Sequence, residues 1–122
     1  MIEGCLIGES MRPGTQLDVP GLTIRRIARL ESDSVATTQP SQWTLIDFAA
    51  VDVAADELAD ALAQCLLPEG GWYADFVSAG EHYVVFGNRV FRYRIGDSDA
   101  RAEAEAYART VGVPEHQLDW GD

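Results

Sequence analysis

Hydrophobic residues follow two rhythms along this chain, and each rhythm predicts elements. Ile2, Leu6 and Ile7 place a first strand over 2–8, and the pairs Pro13-Gly14 and Pro20-Gly21 mark the loop after it. In "LTIRRIARLE" the residues Leu22, Ile24, Ala28 and Leu30 share one face of a second strand, and Arg26 falls among them. The polar stretch 32–42 contains Pro40 and reads as a loop. "WTLIDFAAV", 43–51, is apolar on both sides, as a strand covered on each face would be. Asp47 shares a face with Trp43 and Leu45, so pairing of the second and third strands would make Arg26 and Asp47 a buried ion pair.

The period then lengthens. Leu58, Leu62, Cys65 and Leu66 recur at helical spacing over 54–67, Asp56 and Glu57 suit the positive end of the helix, and Pro68 with Gly70-Gly71 ends it. A second helix is expected over 99–111, with Ser98 as its cap, Ala100, Ala104, Tyr107, Ala108 and Val111 as its apolar face, and Gly112 as its stop. Pro114 suits the start of one further turn, and Leu118 and Trp120 read as anchors for the tail.

Between the helices, residues 71–96 hold seven of the chain's eleven aromatic residues and predict three strands, 72–77, 82–86 and 89–95. Gly87-Asn88 is a two-residue turn with the glycine taking positive φ, which sets Val84 opposite Phe91 and puts Val84, Phe86, Phe91 and Tyr93 on one face. The register of the strand before it turns on Asp75. A loop of three or five residues points Trp72, Ala74 and Phe76 into the core and leaves Tyr73, Asp75 and Val77 outside beside Tyr83 and Arg92. A four-residue loop would bury the Asp75 carboxylate among Val84 and Phe91, at a cost of about 2–5 kcal/mol if unpaired, so the odd-length loop is expected. The order β-β-β-α-β-β-β-α implies one α+β domain over 1–122, with a largely antiparallel sheet and two helices on one face. Tyr73, Asp75, Tyr83, Arg92 and Arg94 then form an exposed aromatic and charged sheet face, suited to binding.

Charge narrows the partners. Twenty acidic residues against nine arginines and no lysine give a net −11, and residues 41–80 hold seven acids and no base. Such a field repels nucleic acid and anionic membrane and leaves a basic protein partner open, with solubility as the favoured and simpler role. Asp52, Asp56, Glu57 and Asp60 gather at the start of the first helix as an acidic patch. No run reaches the roughly 20 apolar residues of a membrane span, the start lacks the basic region of a signal peptide, and two cysteines are too few for a disulfide scaffold, all of which points to a cytoplasmic protein.

Phosphate-loop, dinucleotide, nucleophile-elbow and zinc-protease motifs are absent, and without lysine there is no Schiff-base chemistry. Cys5, Cys65, His82 and His116 lack metal-ligand spacing, so neither metal nor cofactor is expected. The segments "GCLIGES", "QPSQWTLIDF", "GWYADF", "VVFGNRVFRYRIGD" and above all the closing G-V-P-x-x-Q-L-D-W, Gly112 to Trp120, resemble a group of small prokaryotic proteins with no assigned activity. That resemblance implies a free-standing cytoplasmic domain and brings no catalytic residue. Three functions follow as expectations: a non-catalytic binding or interaction domain using the sheet face, with a protein partner or a second copy; an acidic immunity or self-resistance protein masking a basic toxin; and a small enzyme using Asp47, Asp75 or His82 between sheet and helices.

Overall fold

Six strands and two helices follow one another in the expected order. The computed structural model describes residues 1–31 and 39–120, so the loop expected over 32–42 falls largely outside the described residues. Strands β1 (Ile2–Ile7), β2 (Thr23–Glu31) and β3 (Gln42–Ala50) precede helix α1 (Ala55–Cys65); β4 (Ala74–Ser78), β5 (Glu81–Phe86) and β6 (Arg89–Arg94) precede helix α2 (Ser98–Thr110). The class is α+β and all strand pairing is antiparallel. The strands divide into two three-stranded sheets, β1-β3-β2 and β4-β5-β6, with β1 and β4 lying alongside each other where the sheets meet.

One core joins the sheets. Ile2 and Leu6 of β1 and Phe48 and Ala50 of β3 pack with Leu58, Ala59 and Leu62 of α1, and with Ala74, Phe76, Tyr83 and Val85 of the second sheet. The alternate residues of that second sheet, Val84, Phe86 and Tyr93, pack instead with Ala104 and Ala108 of α2 and with Val113 and Trp120 of the tail. Neighbouring residues of a strand point to opposite faces. The helices therefore lie on opposite faces of β4-β5-β6, which corrects the one-face arrangement expected.

This double covering explains the main departure from the sequence reading. Asp75 pairs with Val84 and Phe76 with Tyr83, one register step from expectation, because the β4–β5 turn is only Ala79-Gly80, both at positive φ (51° and 79°). Phe76 thus stacks on Tyr83 at 4.7 Å on the α1 side, while Tyr73 packs with the α2-side cluster. With both faces buried, hydrophobic alternation no longer selects a register. The predicted cost of turning Asp75 inward is largely not incurred, because its side chain stays a third exposed at the seam and the His82 Nε2–H donates to its Oδ2 at 2.8 Å.

The next turn keeps the expected register, Phe86 opposite Arg89, yet positive φ falls on Asn88 (64°). Gly87 is needed for another reason: a Cβ there would lie 2.6 Å from Cα of Pro68 and 2.7 Å from the Leu66 carbonyl oxygen. The hairpin tip sits directly on the end of α1, and the Asn88 N–H donates to the Ala63 carbonyl at 2.8 Å. Helix α2 is capped by Asp97 in place of Ser98, its Oδ1 accepting from the Ala100 N–H at 3.1 Å. The turn after Pro114 forms at Glu115–Gln117, and Trp120 is buried as the pattern predicts.

The β2 strand carries a bulge between Ile24 and Arg26. It puts Ile24 on the face of Phe48 and Arg26 on the opposite face, beside Asp47. The two charged residues do pair, Arg26 Nε to Asp47 Oδ2 at 2.7 Å, but their side chains are 63% and 32% exposed, so the pair is a surface one. A pair this wet contributes roughly 0–1 kcal/mol.

Candidate functional site

The seam between the sheets opens into a cleft of about 260 Å³. Trp43 from β3, Cys5 from β1, Trp72 and Tyr73 from the segment leading into β4, Asp75 from β4, and Gln117 and Asp119 from the tail all line it. Past Cys5 and Asp75 it continues as an open furrow that also meets Glu3 and Asp47.

Each wall is fixed by a local cause. Gly71 lies at φ 82° with its N–H donating to the Val111 carbonyl at 2.9 Å, and a Cβ there would fall 2.6 Å from the Gly112 carbonyl oxygen. Only glycine lets the approach to β4 run this close to the end of α2, and that contact sets Trp72 and Tyr73 at the cleft. Trp43 stands 5.7 Å from Trp72, tilted by 58°, and its indole N–H donates to the Pro40 carbonyl at 2.7 Å. The Tyr73 hydroxyl donates to the Gln117 carbonyl at 2.6 Å and lies 3.2 Å from Asp119 Oδ1. Burial, then the charges of Asp119 and Asp75, push the phenol pKa well above its ordinary value, so it stays a donor. Gln39 Nε2 donates to the Gly71 carbonyl at 3.0 Å and Gln117 Nε2 to Gln39 Oε1 at 3.2 Å, tying the tail to the seam.

The chemistry at the base of the cleft is that of a held carboxylate. His82 is 1% exposed, and its Nδ1 is buried with no hydrogen-bond partner. Since Asp75 can only accept when ionised, the Nε2–H orients its Oδ2. A sealed imidazole cannot reach a substrate, so the enzyme reading loses His82 as acid or base. Cys5 is no nucleophile at neutral pH, because burial, then Asp47, push its thiol up from 9.0 to about 11. Asp47 itself is engaged by Arg26. Both cysteines are free thiols, and Cys65 Sγ donates to the Gln16 carbonyl at 3.2 Å. Among the described residues no cluster of His, Cys, Asp or Glu is arranged to hold a metal ion.

No family model, curated protein or solved structure matches this chain.

The expected binding face is split by the register. Tyr73 and Asp75 line the cleft, whereas Tyr83, Arg92 and Arg94 belong to the opposite face of the second sheet. There Tyr83 is buried and donates to Asp56 at 3.2 Å, Arg92 bonds both Glu81 and Asp56, and Arg94 stands opposite Glu81. The acidic patch is partly neutralised for the same reason. Asp56 is held by Arg92, Asp52 accepts from the Met1 amine and from Ser78 at 2.8 Å each, and Glu57 and Asp60 remain exposed. The sequence reading missed Trp43, Gln117 and Asp119 as site residues. Trp43 reads from the sequence as a strand residue and Gln117 and Asp119 as part of an anchored tail, and their meeting across the seam depends on tertiary structure.

Proposed function

We propose that the protein is a non-catalytic binding domain whose site is the cleft between the sheets, walled by Trp43, Trp72 and Tyr73 and floored by Asp75. The single observation behind this reading is the convergence of rigidly held aromatic rings with a carboxylate in one concavity. The protonated Cys5 thiol and the sealed His82 argue against catalysis at the same place. The domain works in the cytoplasm, where both thiols stay reduced, and its acidic field keeps it from nucleic acid. Among the described residues no helix is long and apolar enough to cross a membrane. An immunity protein against a basic toxin is one form this reading can take, motivated by the seven acids and no base of residues 41–80.

A fragment screen containing neutral, anionic and cationic compounds tests the reading, read through the indole N–H resonances of the tryptophans. Compounds of any charge that move the Trp43 and Trp72 signals, and lose this effect in Trp43→Ala, support it. A screen that leaves those two signals unmoved, or moves residues elsewhere only, overturns it.

A further inference from the structure

We propose that the cleft receives an arginine side chain presented by a basic protein partner. This deepens the binding-domain reading and rests on it. Asp75 has its Oδ2 engaged from within by His82, and Asp119 Oδ1 lies 3.2 Å from the Tyr73 hydroxyl, whose proton goes to the Gln117 carbonyl. Among the described residues neither carboxylate meets an arginine, and the other oxygen of each has no hydrogen-bond donor. Glu3, Glu9, Asp47, Asp56, Glu81 and Glu115 are paired with arginine, whereas Asp75 and Asp119, like Glu57 and Asp60 on the surface, are not; what sets the cleft pair apart is the rings beside it. The cleft thus holds two carboxylates without a cationic partner beside three aromatic rings.

Ring faces attract cations, most strongly at tryptophan, and a carboxylate adds a charge-assisted hydrogen bond. A guanidinium uses both at once, because its flat surface stacks on a ring while its edge presents N–H donors in the plane. An ammonium offers a point charge and no plane to stack. The cleft of about 260 Å³ is open and runs on into the furrow along Cys5 and Asp75, a shape that suits a side chain carried on an extended partner segment. The net charge of −11 then draws a basic macromolecule toward the site and speeds encounter at low salt. Arg101, which stands over the Trp120 ring at 5.5 Å, is the nearby cation on the chain itself, but it does not line the cleft.

The test is titration of the full chain with the blocked tripeptide acetyl-Gly-Arg-Gly-amide, followed on the Trp43 and Trp72 indole signals. Its citrulline and lysine counterparts and tetramethylammonium are run alongside. The arginine peptide should bind at least tenfold more tightly than the uncharged citrulline peptide, and more tightly than the other two. Its affinity should fall at least tenfold in Asp75→Asn, which keeps an acceptor for His82, and also in Asp119→Asn, an exposed position that leaves the fold intact. Equal binding of the citrulline peptide, tighter binding of tetramethylammonium, or unchanged affinity in Asp119→Asn would overturn the proposal. Occupation of the cleft by neutral fragments alone overturns it too while leaving the binding-domain reading standing; an unresponsive cleft removes both.

Discussion

Replacing Trp120 with alanine should remove a large part of the stability of this domain. The indole is 4% exposed, its N–H donates to the Tyr93 hydroxyl at 3.0 Å, and it meets Tyr73 edge-on at 5.1 Å. A buried tryptophan takes roughly 150–250 Å² out of water, worth about 4–6 kcal/mol at ~25 cal/mol per Å². Tryptophan-to-alanine truncations in cores cost about 3–5 kcal/mol, against a total of about 5–15 for an ordinary domain. At an unfolding entropy of about 2.1 cal/mol/K per residue, this chain length converts each kcal/mol into about 4 °C, so Tm should drop by about 12–20 °C. Urea denaturation of the parent and Trp120→Ala measures the loss directly, and Trp120→Phe, which loses the bond to Tyr93 and part of the packing, should fall between the two. A Trp120→Ala protein within 1 kcal/mol of the parent would refute the reasoning. The tail would then be a flap that opens without unfolding the rest, and Gln117 and Asp119 would be intermittent members of the cleft.

Two further outcomes follow from individual side chains. Burial alone would raise the Glu9 carboxyl, but the Thr44 N–H at 2.6 Å, the Thr44 hydroxyl and Arg29 together hold it below its ordinary 4.5. The stability this depression provides is fully present above pH 4.5 and is lost as pH falls through the lower folded-state value. Glu9→Gln should therefore cost about 1 kcal/mol at neutral pH and flatten the acid-unfolding curve below that point; an unchanged curve would show the contact to be incidental. At Cys5, a thiol raised from 9.0 to about 11 holds about a hundredfold less thiolate at pH 8, so iodoacetamide should label it correspondingly slowly, with a rate still climbing past pH 10. Labelling as fast as a free cysteine, measured by mass spectrometry on Cys65→Ser, would contradict the acidic setting given to that residue.

Local chemistry made much of the fold legible. Leu58 and Leu62 at helical spacing, the Pro68-Gly70-Gly71 stop, and the Gly87-Asn88 turn all act within a few residues of themselves, and those elements form where the pattern puts them. The register of β4 was not legible because Asp75 gains its partner, His82, only after the strands pair, and because both faces of the sheet are buried. Arg26 and Asp47 pair as their strands do, yet nothing in their spacing reveals that the outer face of β3 there is open to solvent. Of the cleft, Tyr73 and Asp75 were visible as an aromatic and an acid in a strand. Trp43, 29 positions before Trp72, joins them only through the seam.

The two-residue turns at Ala79-Gly80 and Gly87-Asn88 also bear on how the chain reaches this structure during synthesis. They make β4-β5-β6 the part with the shortest loops to close, whereas β1 must find β3 some 40 positions away. The apolar side of the first sheet leaves the ribosome first, but its cover comes from Leu58, Leu62, Phe76, Tyr83 and Val85. Until Val85 has emerged, Ile2, Leu6 and Phe48 have no complete partner surface. The first half of the protein spends that interval sticky, and the quickly closing meander limits how long it lasts.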